Sequence, residues 1–280
     1  MTLINKILLL GLLSCAFAFS YAGSSSEPLS RDSSSELSSS SFAGDPLAIK
    51  RMERMLEKLG GRKIWANTLS LLTVERVRHY KYGDGIIETV WRDLDQPGAS
   101  IKLMHPDLNL VYAWNSTRGW VSRDGVLRDL SKDEIHQKEV HWQRDLYTLF
   151  HQLALGDRKL TLKVLKPNGF RILDEDKKKI GDFRLTSSGE LYQWQRFGSQ
   201  KSETYVYGPL KSFGLLNFPD WSTTTDGHWR SYIVQVQPSF KSFSTHVSLE
   251  KPESDCSESD WHGGAVNTNC KENKHYEDQH

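Results

Sequence analysis

Leu72, Val74, Arg76 and Arg78 fall at every second position of residues 69–82, a stretch that alternates as a β-strand does, so the four side chains share one face. Two guanidiniums at the end of an apolar strip suit binding better than bond breaking. If that face lines a cavity, an arginine fork can hold a carboxylate or lipid head group through two parallel N–H···O bonds. If it faces water, the same charges guard a strand edge. A second set, Ile135, Trp142, Leu146, Leu149 and Leu153, recurs at helical spacing and would lie across the open side of a sheet. Trp142, Leu146 and Leu149 therefore join the four strand residues as the expected ligand-binding set.

Groups suited to catalysis are scattered. The chain has no G-x-S-x-G, no H-E-x-x-H, no phosphate-cradling glycine loop and no zinc-spaced cysteine pair. His136 and His141 are five apart on one helix and point in different directions, and His151 reads as a core or boundary histidine. His262, His275 and His280 sit in an acidic tail that reads as solvated. Asn115-Ser116-Thr117 is a glycosylation sequon in a eukaryotic secretory route and otherwise a turn. The expectation is a protein that is not an enzyme and needs no cofactor and no metal.

The elements that must position these residues are mostly strands. Asp45 and Pro46 open a helix carrying Leu47, Ile49, Met52, Met55, Leu56 and Leu59, which Gly60-Gly61 end. Ser131 and Glu134 form a capping box at the start of a second helix, read as running to Gly156. Strands are expected at 69–82, 86–93, 99–105, 108–114, 119–123, 126–130, 160–166, 170–174, 179–185, 190–197, 203–213, 217–225 and 228–237, with Gly83-Asp84-Gly85 as a hairpin loop. The fold class is mainly β (α+β): a curved antiparallel half-barrel of about 11 strands, with two helices covering its open side. A two-sheet sandwich is the alternative.

Lys6 followed by the apolar residues 7–22, with Ser20 and Ala22 before Gly23, reads as a signal peptide over 1–22. The competing reading is a lipobox, Leu12-Leu13-Ser14-Cys15, with lipid anchoring through Cys15. Residues 23–44 contain eleven serines and read as a flexible linker. Residues 45–249 form one domain, and 250–280 an acidic, polar, disordered tail. Loss of residues 1–22 removes Lys6 and no acid, leaving 35 basic and 35 acidic residues. That balance gives no electrostatic case for nucleic acid. Cys256 and Cys270 are expected to pair as a disulfide in an oxidising compartment.

Three segments resemble the LolA/LolB-type lipoprotein-carrier fold. They are Leu59-Gly60-Gly61 with Trp65, the stretch Trp114-Asn-Ser-Thr-Arg-Gly-Trp120 with Asp124-Gly125-Val-Leu-Arg-Asp-Leu130, and Tyr205-Val-Tyr-Gly-Pro-Leu-Lys-Ser-Phe213 with Phe218-Pro219. The likeness spans roughly residues 45–245 and marks turns and strands, not a site. It implies an exported, periplasmic or cell-envelope protein whose apolar cavity accepts a lipid or acylated ligand, with a lipoprotein or envelope transporter as partner. The alternatives are a structural or interaction protein with a packed barrel, a sugar-binding module using the nine tryptophans, and a hydrolase with a dispersed site.

Overall fold

A computed structural model describes residues 42–198 and 202–252, together with the short pairs 261–262 and 265–266. Residues 1–41, Cys256, Cys270, His275 and His280 lie outside the described residues, and with them the signal peptide, the lipobox, nearly all of the linker and the disulfide. The chain runs β1 (Ala43–Gly44), α1 (Pro46–Lys58), α2 (Arg62–Asn67), β2 (Ser70–His79), β3 (Gly83–Asp93), β4 (Gly98–His105), β5 (Leu108–Asn115), β6 (Gly119–Arg123) and β7 (Val126–Asp129). Then come α3 (Lys132–Trp142), α4 (Leu146–Leu155), β8 (Thr161–Leu165), β9 (Gly169–Leu173), β10 (Lys179–Leu185), β11 (Leu191–Phe197), β12 (Ser202–Tyr207), β13 (Leu210–Phe213), β14 (Leu216–Pro219), β15 (Trp221–Thr224) and β16 (Trp229–Ser239).

Fourteen of these strands form one curved, open sheet in the order β1-β8-β9-β10-β11-β12-β15-β16-β2-β3-β4-β5-β6-β7. All pairs are antiparallel except β1 with β8. The mainly-β, curved character is as expected, but the strand and helix counts differ. Residues 203–213 and 217–225 each break in two. Gly208 packs under the Trp221 indole, Pro209 has no N–H to offer a ladder, and β13 and β14 leave as a separate hairpin. Phe42 is buried and Ala43–Gly44 pair with β8, so ordered packing begins before Asp45.

The helices also divide. Beyond Gly60-Gly61 a short extra helix, α2, buries Trp65. The second helix breaks between Trp142 and Leu146, because the Asp145 carboxylate accepts from the backbone N–H groups of Tyr147 and Thr148 and starts α4 afresh. The capping box of Ser131 and Glu134 starts α3. Asp45 caps differently from expectation: its carboxylate accepts from Val164 N–H on β8, not from its own helix.

One face of the sheet, here called the inner face, carries all four helices. Over β8–β11 that face is filled by α1, α2, α4 and the β13–β14 hairpin. Trp65 meets Phe150 edge-on at 5.1 Å, Tyr147 stacks on Phe218 at 5.1 Å, and Phe170 stacks on Phe183 at 4.9 Å. Eight of the ten α4 residues are buried, whereas α3 buries only Ile135, so α4 belongs to the core and α3 rests on it. On the outer face, Val247 and Leu249 cover Ala113, Trp120 and Leu127, Trp91 stacks on His246 at 4.3 Å, and Lys251 reaches Asp129 at 3.2 Å.

Leu149 is fully enclosed in the packed half. Leu149→Ala is expected to lower unfolding stability by about 2–5 kcal/mol in urea titrations, the range for emptying a core leucine site. A loss below about 1 kcal/mol would show α4 to be a movable element.

Candidate functional site

Register decides which side chains face inward. On β2 these are Leu71, Thr73, Glu75 and Val77; their partners on β3 are Arg92, Val90, Glu88 and Ile86. The set continues through Ala99, Ile101 and Leu103 on β4, and Trp114, Tyr112 and Leu110 on β5. Tyr147 of α4 still reaches Glu75 on β2 and Arg92 on β3; over β4–β6 the helix that faces these residues is α3. Between them lies a hollow of about 190 Å³ lined by Val90, Ile101, Tyr112, Trp114, Trp142 and Arg92. Past Tyr112, Lys138 and His141, which border both, a second hollow of about 340 Å³ is lined by Leu110, Val121, Leu130, Arg128 and Glu134. From Leu110 a third, of about 190 Å³, follows Leu103, Leu108 and Ile86 down to His79 and Trp229. The hollows share lining residues and make one groove along the inner face.

A polar strip crosses the floor at the boundary between the filled and open halves. Glu75 and Glu88 stand directly opposite each other on β2 and β3, where like charges repel. Burial, reinforced by the Glu75 charge, pushes the Glu88 carboxyl up to about 8, so it carries a proton at neutral pH. The Tyr147 hydroxyl donates to Glu75 Oε1 at 3.4 Å. Arg92 donates to Thr73 Oγ1 at 2.7 Å, lies 3.7 Å from Asp145 Oδ1, and sits 4.3 Å over the Tyr147 ring. Arg196 pairs with Glu203. Arg128 grips both Glu134 oxygens at 2.8 and 3.0 Å, and this fork is the main reason the Glu134 carboxyl falls to about 2.

Lys138 differs from the other cations. Its Nζ lies 3.9 Å from the centroid of the Tyr112 ring, it is half-buried, and it joins no salt bridge among the described residues. Burial lowers its pKa, and the Glu134 charge only partly offsets that. His141, one turn on, is also shifted down by burial and by Arg196. Trp142 fixes the helix by donating from Nε1 to Asp93 O at 2.6 Å.

The expected site residues separate. Leu72, Val74, Arg76 and Arg78 occupy the face opposite to Glu75; both arginines are exposed, and Arg78 lies 3.7 Å from Asp84. Trp142 lines the first hollow, while Leu146 and Leu149 are buried in the packed half. His151 is buried, its Nδ1 donating to Trp65 O at 2.8 Å, and His136 is exposed beside Glu139. Asn115 closes a turn, its side-chain oxygen accepting from Thr117 and Arg118 N–H. Glu75, Glu88, Arg92, Tyr112 and Lys138 were not expected at the site. The detectable signal was one acid, Glu75, alternating with Leu71, Thr73 and Val77.

No protein-family model and no curated protein matches the chain. Solved structures do. The chain is similar to a DUF1329 family protein from Desulfovibrio piger, with a TM-score of 0.43 and 6% identity over 69% of this chain and 93% of that one. It is also similar to a putative outer membrane lipoprotein-sorting protein domain from Vibrio parahaemolyticus, with a TM-score of 0.37 and 10% identity over the same shares of the two chains. The latter is the kind of protein that the three sequence segments resemble.

The Glu88 proton sets a pH dependence. With its pKa raised from 4.5, the folded protein keeps a proton that the unfolded chain has lost. The resulting stabilisation is complete below about pH 4.5 and disappears as pH rises through about 8. Glu88→Gln cannot lose that proton. Its stability relative to wild type should improve by more than about 1.4 kcal/mol, one pH unit's worth, between about pH 5 and pH 9. Parallel urea-unfolding profiles for the two proteins across that range would contradict the assignment.

Proposed function

We propose that the chain is an exported carrier that holds an acyl chain, free or attached to a lipid or lipoprotein, in the groove between the inner face of β3–β6 and α3. The observation that carries this reading is the unequal filling of one face: helices pack its β8–β11 half solid, while the apolar residues of the other half line hollows. A site of about 340 Å³ lies in the size range of small-molecule sites, roughly 300–1,000 Å³. Each methylene moved from water into such a groove contributes about 0.8 kcal/mol. A chain coming from a membrane is already dry, so transfer between membrane and protein is nearly isoenergetic and suits reversible carriage.

The reading is non-catalytic. Arg92, Arg128 and Arg196 are engaged by Asp145, Glu134 and Glu203, and Glu88 is held neutral beside Glu75, an arrangement that supports the shape of the groove. Export rests on residues 1–22, and the partner that loads or unloads the ligand would be an envelope transporter or a lipoprotein. We place the ligand at Leu110, Tyr112, Val121 and Trp114 with Trp142, and not along Leu72, Val74, Arg76 and Arg78.

Organic extraction of protein purified from its host, followed by mass spectrometry, should recover a lipid or fatty acid. A neutral fluorescent probe, N-phenyl-naphthylamine, should bind saturably and be displaced by long-chain lipids. Leu110→Glu, which puts a charge on the groove floor, should abolish displacement while the fold persists. Absence of both co-purified lipid and saturable probe binding would leave a packed envelope protein as the better account.

A further inference from the structure

We propose that the Lys138 ammonium is the anion-binding group of the groove, so that the ligand is an amphiphile with a carboxylate or phosphate head. The inference rests on the carrier reading and deepens it. Around the first two hollows every other cation has a carboxylate: Arg92 faces Asp145 at 3.7 Å, Arg128 is forked onto Glu134, and Arg196 pairs with Glu203. Lys138 shares the groove with these pairs and joins no salt bridge among the described residues; its Nζ rests on the Tyr112 ring. The nearest acid on its own helix, Glu134, is committed to Arg128 and to the Ser131 N–H. His141 stands beside it without adding a negative charge.

Position strengthens the case. Lys138 borders both the 190 Å³ and the 340 Å³ hollows, at the place where the apolar wall of Val90, Ile101 and Trp114 meets that of Leu110 and Val121. An ammonium there is partly stripped of water, and Glu134, held by Arg128, offsets only part of the loss. An anionic head group supplies the rest of the counter-charge while its chain follows either apolar wall. The ring of Tyr112 keeps the lysine stem over the groove in the meantime.

The test uses the full chain and displacement of N-phenyl-naphthylamine, an uncharged reporter, by hexadecanoic acid, hexadecyl phosphate and hexadecanol. Wild type should bind the better of the two acids at least tenfold more tightly than the alcohol, the factor expected of one charge-assisted contact. The acid that gains more identifies the head group. Lys138→Met should abolish the preference while leaving hexadecanol binding intact, which also shows that the variant is folded; Lys138→Arg should retain it. Equal binding of acids and alcohol by wild type, or a preference that survives in Lys138→Met, overturns this inference and leaves the carrier reading standing. Binding of none of the three overturns both.

Discussion

The pairing of β16 with β2 is the constraint on which the rest of the structure depends. The last long strand of the sheet joins the first along almost its whole length, from Trp229 against His79 to Ser239 against Ser70. That seam joins two meanders, β2–β7 and β8–β15, and sends β7 and β8 toward opposite ends of the sheet. Twelve strand spacings separate them, about 58 Å if the sheet were flat. The two helices that connect them span only about 16 and 15 Å. The chain can make the crossing because the sheet curves, and in crossing it lays α3 and α4 over the inner face. The groove follows from a connection obliged to pass over a sheet wider than its helices.

What those helices cover decides what each half can do. The α4 helix arrives with apolar side chains on nearly every side and sinks among α1, α2 and the β13–β14 hairpin. The α3 helix has one buried residue and is held at its ends, by the Ser131–Glu134 box with Arg128 at one and by Trp142 on Asp93 O at the other. Asp145 performs two tasks at the joint. It caps α4 and it faces Arg92, so the break between the helices and the charge on the groove floor have one cause. Glu75 and Glu88 tolerate their closeness because one of them keeps its proton.

The strands and turns of this fold were legible in the sequence because alternation and turn chemistry are local. The β4–β7 meander and the Ser131 capping box lie where residue types place them, and so does the β2–β3 hairpin, except that its turn falls at residues 80–82 and Gly83-Asp84-Gly85, expected as the loop, open β3. The face of β2 was not legible. Leu71 and Leu72 are adjacent, so either alternation opens with leucine, and the set ending in Arg76 and Arg78 resembles a cavity wall as well as the set that carries Glu75. Burial settles the matter only through partners far along the chain, Tyr147 and Ile233 among them. The helix break at Asp145 was hidden for a related reason. The apolar stripe continues across it, so Asp145 reads as one polar residue within a helix and not as the cap of a new one. Lys138 offered no signal, since its meaning comes from the carboxylates that its neighbours have already taken.

The central claim is that an acyl chain enters the open half of the inner face and not the packed half. The indole N–H groups provide separate reporters in one protein. Trp114 and Trp142 line the first hollow, and Trp65 is sealed among Phe150 and Phe218. Titration with doxyl-labelled stearic acid, followed through paramagnetic broadening of assigned tryptophan side-chain signals, distinguishes the two halves directly. Broadening that is strongest at Trp114 and Trp142 and weakest at Trp65 is the result expected. Broadening that is absent, uniform, or strongest at Trp65 would contradict the account.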